Sequence, residues 1–88
     1  MSITGTQIRM ARAALRWRVD NLAELSGLSW ARVQQMERAT SISATNSDNL
    51  EVVRRVLEEA GICFLGPEKE MGEGVRLVPA ASPNQVQD

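Results

Sequence analysis

The sequence predicts a mainly α domain: four short helices over residues 1–61, a small antiparallel β-ribbon over 62–78, and a disordered tail over 79–88. Three observations point to this. Apolar residues recur three and four apart in the stretches before Gly61, the spacing of one buried helix face. Helix-boundary chemistry punctuates those stretches, at Thr4-Gly5-Thr6-Gln7, at Gly27-Leu28-Ser29 and at Gly61. Past Gly61 the pattern shortens to two strand-like runs, Ile62-Cys63-Phe64-Leu65 and Val75-Arg76-Leu77-Val78, on either side of a segment rich in turn residues.

The first helix starts with Thr4 as N-cap. Gln7, three residues on, completes a capping box, and Ile3 and Ile8 occupy the positions of a hydrophobic staple. It runs to about Leu15, burying Ile8, Ala11 and Leu15 and turning Arg9 and Arg16 outward. Trp17 anchors the link to a second helix, from about Val19 to Ser26, with Leu22, Ala23 and Leu25 as its apolar side. Gly27 supplies the positive φ of a tight corner, and Ser29 caps a third helix from Trp30 to about Arg38 that turns Val33 and Met36 inward. Two short helices about such a corner have the layout of a helix-turn-helix, whose second helix enters the major groove of DNA.

Residues 39–47 are small, polar and β-branched and read as a loop. Thr45, Asn46 or Ser47 caps the fourth helix, and Asp48 in its first turn suits the helix dipole. Leu50, Val53, Leu57 and Ala60 form its core side, with Arg54, Arg55, Glu58 and Glu59 outward. Gly61 ends it as a C′ residue, with Ile62 packing back on Leu57. The ribbon that follows either packs on the helices or pairs across a dimer. Pro79 and Pro83 fall in the polar tail.

Composition excludes several functions. There is no histidine and a single cysteine, Cys63, so common zinc sites, an internal disulfide and Ser-His or Cys-His catalysis are out. With no phosphate-binding loop either, an enzyme is not expected, nor a cofactor or metal. Cys63 reads as a small buried hydrophobe with no cationic neighbour in sequence. No apolar run approaches the roughly 20 residues that span a bilayer, and the N-terminus lacks a secretory layout, so a soluble cytoplasmic protein without a membrane partner is expected. Net charge is −1, but it is unevenly placed. Residues 1–38 hold six arginines against three acids, a local +3; residues 39–88 hold four basic residues against eight acids, a local −4. The positive half is the one that carries the helix-turn-helix.

From about Thr4 to Gly61 the chain resembles the DNA-binding domain of the Xre/Cro family of phage and bacterial repressors. The elements that carry the resemblance stand in order: Arg12 in the first helix, Leu22-Ala23, the turn Gly27-Leu28-Ser29, and Met36-Glu37 closing the third helix. The resemblance implies a lambda-repressor-like helix-turn-helix domain. It also implies a sequence-specific double-stranded DNA-binding transcriptional regulator, acting as a homodimer on a palindromic operator with half-sites about 34 Å apart. Carried onto this sequence, the base readers are Trp30, Ala31 and Gln35. Arg32, Gln34, Arg38, Arg18 and Ser29 reach groove edges and phosphates. Arg12 and Glu37 are the family's partly buried structural ion pair. Gln suits adenine, Arg suits guanine, and a small apolar side chain suits the thymine methyl. Trp30 has a competing role as core, and Gln34 and Gln35 as a solvated face.

Departures from the family pattern are visible too. Arg18-Val19 stands where a capping residue and a phosphate-gripping Gln are usual, so the side-chain cap of the second helix is expected to be lost. Ala39 replaces a helix-ending Gly, and the ribbon replaces the fifth helix common in the family. They feed a second reading: a protein-interaction module of the same fold, an antitoxin or anti-activator. It would grip a protein partner through the acidic C-terminal half, with 62–78 as a dimerisation or strand-pairing element.

Overall fold

The computed structural model of the chain describes residues 3–38 and 47–78. Among these are four helices, α1 (Gly5–Leu15), α2 (Val19–Ser26), α3 (Trp30–Arg38) and α4 (Ser47–Glu59), and two strands, β1 (Ile62–Leu65) and β2 (Gly74–Leu77). The mainly α fold with its antiparallel ribbon is therefore present. The expected caps Thr45 and Asn46, the loop residues 39–46 with Ala39, and the tail 79–88 lie outside the described residues. Ser47 is the first residue of α4.

Both halves of the α1 capping box form: Thr4 Oγ1 accepts from the Gln7 N–H at 3.1 Å, and Gln7 Oε1 accepts from the Thr4 N–H at 3.0 Å. Ile3 and Ile8 are buried. The helix ends in a left-handed residue, Arg16, with φ 60°. The Trp17 N–H donates to the Arg12 carbonyl at 2.9 Å and the Arg16 N–H to that of Ala13 at 3.1 Å, the two bonds of a Schellman motif. An L-residue in that conformation costs about 1–2 kcal/mol. Arg16→Gly is accordingly expected to stabilise the domain by about 1 kcal/mol, read as a thermal midpoint several degrees higher. A lowered midpoint would show that the Arg16 side chain makes a contribution larger than its backbone strain.

The same motif closes α2, here on a glycine. Gly27 has φ 70°, its N–H donates to the Glu24 carbonyl at 3.3 Å, and the Leu28 N–H to that of Ala23 at 3.0 Å. No atom lies within 4 Å of where a Cβ on Gly27 would stand, so glycine is required by conformation and not by space. Ser29 then caps α3, its Oγ accepting from the Arg32 N–H at 3.1 Å.

One expectation about α2 is corrected. Leu25 is 58 % exposed and belongs to no apolar face. At about 100° per residue, Val19, Leu22, Ala23 and Ser26 share one sector, and Leu25 falls more than 90° from its centre. Position 26 on the inner side is filled by a serine, whose Oγ is buried and has no hydrogen-bond partner among the described residues. Ser26→Ala should leave the melting temperature unchanged or raise it by a few degrees, because a buried hydroxyl with no partner keeps its desolvation cost. At the start of the helix the side-chain cap from position 18 is lost, as expected. Arg18 offers no acceptor, but Asn21 Oδ1 accepts the Arg18 N–H at 2.8 Å, so the reverse half of a capping box survives.

On α4, Leu50, Val53 and Leu57 are buried, while Ala60 follows the helix end and is half-buried. Arg54 pairs with Glu51 and Glu58, one turn away on either side. The bond from Arg54 holds the Glu51 carboxyl below its ordinary pKa. Gly61 (φ 107°) donates to the Glu58 carbonyl at 3.0 Å and turns the chain into β1.

In the ribbon, Ile62 pairs with Leu77, Cys63 with Arg76, Phe64 with Val75 and Leu65 with Gly74. Alternation gives it an inner face: Ile62 is buried, and Phe64 and Val75 pack against the core. Cys63 is on the other face. It is half-buried instead of buried, and Arg76 stands directly across from it. The ribbon packs on the helices of its own chain, β1 against α4 and β2 against α1.

What holds it there is Gln7. This side chain is buried, and its Nε2 donates to the Leu65 carbonyl at 2.9 Å and to the Gly74 carbonyl at 3.0 Å. One amide thus caps α1 with its oxygen and ties both strands with its nitrogen. Thr4 Oγ1 adds a bond to Glu73 Oε2 at 3.3 Å.

Candidate nucleic-acid interface

Three buried residues orient α3: Val33, Met36 and Glu37. The first two enter the common core with Ile8, Leu22, Val53 and Leu57. Glu37 is 4 % exposed and carries a carboxylate, so it needs a partner. Arg12 of α1 supplies it in a two-pronged bond, Nε to Oε2 at 2.7 Å and Nη2 to Oε1 at 2.9 Å. Arg12 Nη1 also donates to the Trp17 carbonyl at 3.1 Å, which ties the α1–α2 link to the same knot. The bond to Glu37 raises the Arg12 pKa, so the guanidinium is charged at any physiological pH. Both the register and the rotation of α3 are fixed from behind.

The opposite side of α3 faces solvent. Ala31, Gln35 and Arg38 lie within about 60° of one another on the helical wheel, away from the buried three, and all are exposed. Arg32 flanks them, exposed, and Gln34 flanks them on the other side, half-buried. Ser29 is exposed at the helix start, its hydroxyl engaged as the cap. Trp30 is 55 % exposed, which settles its placement outside the core. Its wheel position lies nearer the buried side, but at the first residue of the helix the described residues leave it uncovered.

Arg18 projects from the start of α2, its side chain 81 % exposed and 3.4 Å from Asp20. A pair so open to water is worth little, and the guanidinium can exchange Asp20 for another anion. Arg9 of α1 and Arg16 just past its end are exposed as well.

The face of α3 therefore offers a planar amide, guanidinium groups, a methyl and an indole on one rigid helix. Within it, Arg32 Nη1 donates to Gln35 Oε1 at 3.1 Å. No protein-family model matches the sequence, and no curated protein matches it.

Sequence reasoning placed Ala31, Arg32, Gln35, Arg38 and Arg18 in the solvent, where they are; it left Trp30 open between core and surface, and it put Gln34 with the outer residues, where it is half-buried. It missed the second task of Gln7 and the cap from Asn21. The signal for Asn21 was present, an amide three residues after the start of α2. For Gln7 there was none, since its strand partners lie 58 and 67 residues away. Among the described residues no helix is long and apolar enough to cross a membrane.

Proposed function

We propose that this chain is a sequence-specific double-stranded DNA-binding transcriptional regulator. α3 reads base edges in the major groove, and two copies bind a palindromic operator. The observation that carries the reading is the outer face of α3. Ala31, Gln35 and Arg38, flanked by Arg32 and Trp30, are groups that match base edges, on a helix whose back is locked by Arg12–Glu37. A solvated face needs no such fixed backing. The placement of charge supports the same reading, with +3 on the half containing α3. Arg18, Arg9 and Arg16 serve the phosphates, and the acidic second half lowers non-specific affinity, leaving more of the binding to base contacts.

The test is selection of source-genome fragments by the purified protein at about 0.15 M salt, followed by sequencing. A few enriched sites sharing an inverted repeat support a dimeric operator-binding regulator. The Arg32→Ala/Gln35→Ala double variant should fold as the parent does, since both side chains are exposed, and should lose the enrichment.

A second reading, a protein-interaction module, is favoured by one specific feature. Met71, Leu77 and Val78 of the ribbon are 71 %, 53 % and 46 % exposed, in the acidic half of the chain. In that case the genomic selection returns nothing while the protein is folded, and the double variant retains its protein partner.

A further inference from the structure

Resting on the DNA-reading proposal, we infer that Arg32 is a specificity-determining positioning residue. It holds Gln35 so that the two together read guanine and not adenine.

A free glutamine suits adenine because it offers both halves of its amide, Oε1 to the N6 amino group and Nε2 to N7. Gln35 is not free in this way. Its Oε1 accepts from Arg32 Nη1 at 3.1 Å, one helical turn away on the same exposed side of α3. The bond has two effects. It fixes the sense of the amide, turning Nε2 away from the guanidinium and toward solvent. It also sets a cation with several free N–H groups beside the only acceptor on the pair.

An adenine N6 amino group brought to that oxygen would meet the donors of Arg32 and a like-signed partial charge. Guanine presents acceptors at both O6 and N7, and these suit the array of N–H groups that remains. Among the other described residues of α3, Ala31 has no polar side-chain group, Arg38 is a second donor, and the Gln34 amide is half-buried and about 100° from Gln35 round the helix. The Ser29 hydroxyl stands at the helix start, where it caps the Arg32 N–H. Lysine in place of Arg32 would keep the charge but lose the planar fork that both grips Oε1 and faces the base.

The experiment is selection from a randomised DNA pool by the full chain and three variants, Gln35→Ala, Arg32→Ala and Arg32→Lys, each checked by circular dichroism for unchanged helix content. Gln35→Ala relaxes one position of the selected motif, which marks the base that Gln35 reads. The inference expects guanine at that position in the parent. In Arg32→Ala the guanine preference there falls about fivefold or more and adenine rises, while flanking positions stay as they were. Arg32→Lys restores overall affinity but not the guanine preference. Adenine at the marked position in the parent overturns the inference. So does an Arg32→Ala protein with an unchanged motif, uniformly weaker binding and a salt dependence reduced by about one phosphate contact, which would make Arg32 a backbone contact. A folded parent that selects no motif at all overturns the DNA-reading proposal itself, and this inference with it.

Discussion

Replacing Glu37 by alanine is expected to destabilise the domain by about 3–5 kcal/mol, the range for breaking a buried ion pair from one side. The Arg12 side chain is only 22 % exposed, and without Glu37 its guanidinium would keep the Trp17 carbonyl but lose the two carboxylate bonds. A chain of this size has about 5–10 kcal/mol in all, so much of the margin goes. Thermal unfolding followed by circular dichroism reads it directly, as a midpoint lowered by about 12 °C or more, at about 4–8 °C per kcal/mol. The control is the double variant Arg12→Met/Glu37→Leu. Replacing both charges by apolar groups of similar size leaves no orphan, and most of the loss should be recovered. If Glu37→Ala alone shifts the midpoint by only a degree or two, water reaches the pair and α3 is not held by it.

Gln7→Leu should cost about 2–4 kcal/mol, and the loss should be unevenly spread. Leucine has nearly the helix propensity of glutamine, so α1 itself is little affected apart from one half of its capping box. What disappears is the pair of bonds to the Leu65 and Gly74 carbonyls, and each buried acceptor left short costs about 1–3 kcal/mol. Hydrogen exchange should therefore accelerate most at the amides of 62–65 and 74–77, well before those of α3 and α4. Gln7→Glu should be worse than Gln7→Leu, because it sets a carboxylate against two carbonyl oxygens. Uniform loss of protection across the whole chain would mean that ribbon and helices unfold as one unit. The clamp would then not be what retains the ribbon.

These two residues mark how differently parts of the fold were legible. The capping box of Thr4 and Gln7, the corner at Gly27, the cap at Ser29 and the stop at Gly61 are local chemistry, each contained within a few residues. The sequence therefore predicts the helix boundaries closely. Leu25 went astray because three-residue spacing alone does not locate the centre of a buried sector. Val19 and Ser26 pull that sector of α2 away from it. Cys63 went astray because its run lies in a two-stranded ribbon with one covered face, where an apolar side chain on the other face is left half open. The left-handed Arg16 leaves no trace in composition. Only the pair of Schellman bonds reveals it.

The outer face of α3 divides along the same line. That Ala31, Arg32, Gln35 and Arg38 avoid the core follows from where Val33 and Met36 fall in the helical period. That Trp30 is exposed does not follow, because the period assigns it near the buried side and it is in water only because none of the described residues covers it. The link between Arg32 and Gln35 is a rotamer choice, and rotamers are set by neighbours in space.

By itself the sequence determined the order and limits of the elements, the corner geometry between α2 and α3, and the segregation of positive charge onto the first half. Each of these depends on interactions between residues close along the chain, where spacing and side-chain type are sufficient. Only the tertiary structure decided that the ribbon docks on α1 and α4 of its own chain, that Gln7 holds it there, and that Arg32 occupies the acceptor of Gln35. The Gln7 contacts span 58 and 67 residues and are set by packing, which no local pattern encodes, while the Arg32–Gln35 bond is one rotamer among those open to an exposed pair three residues apart.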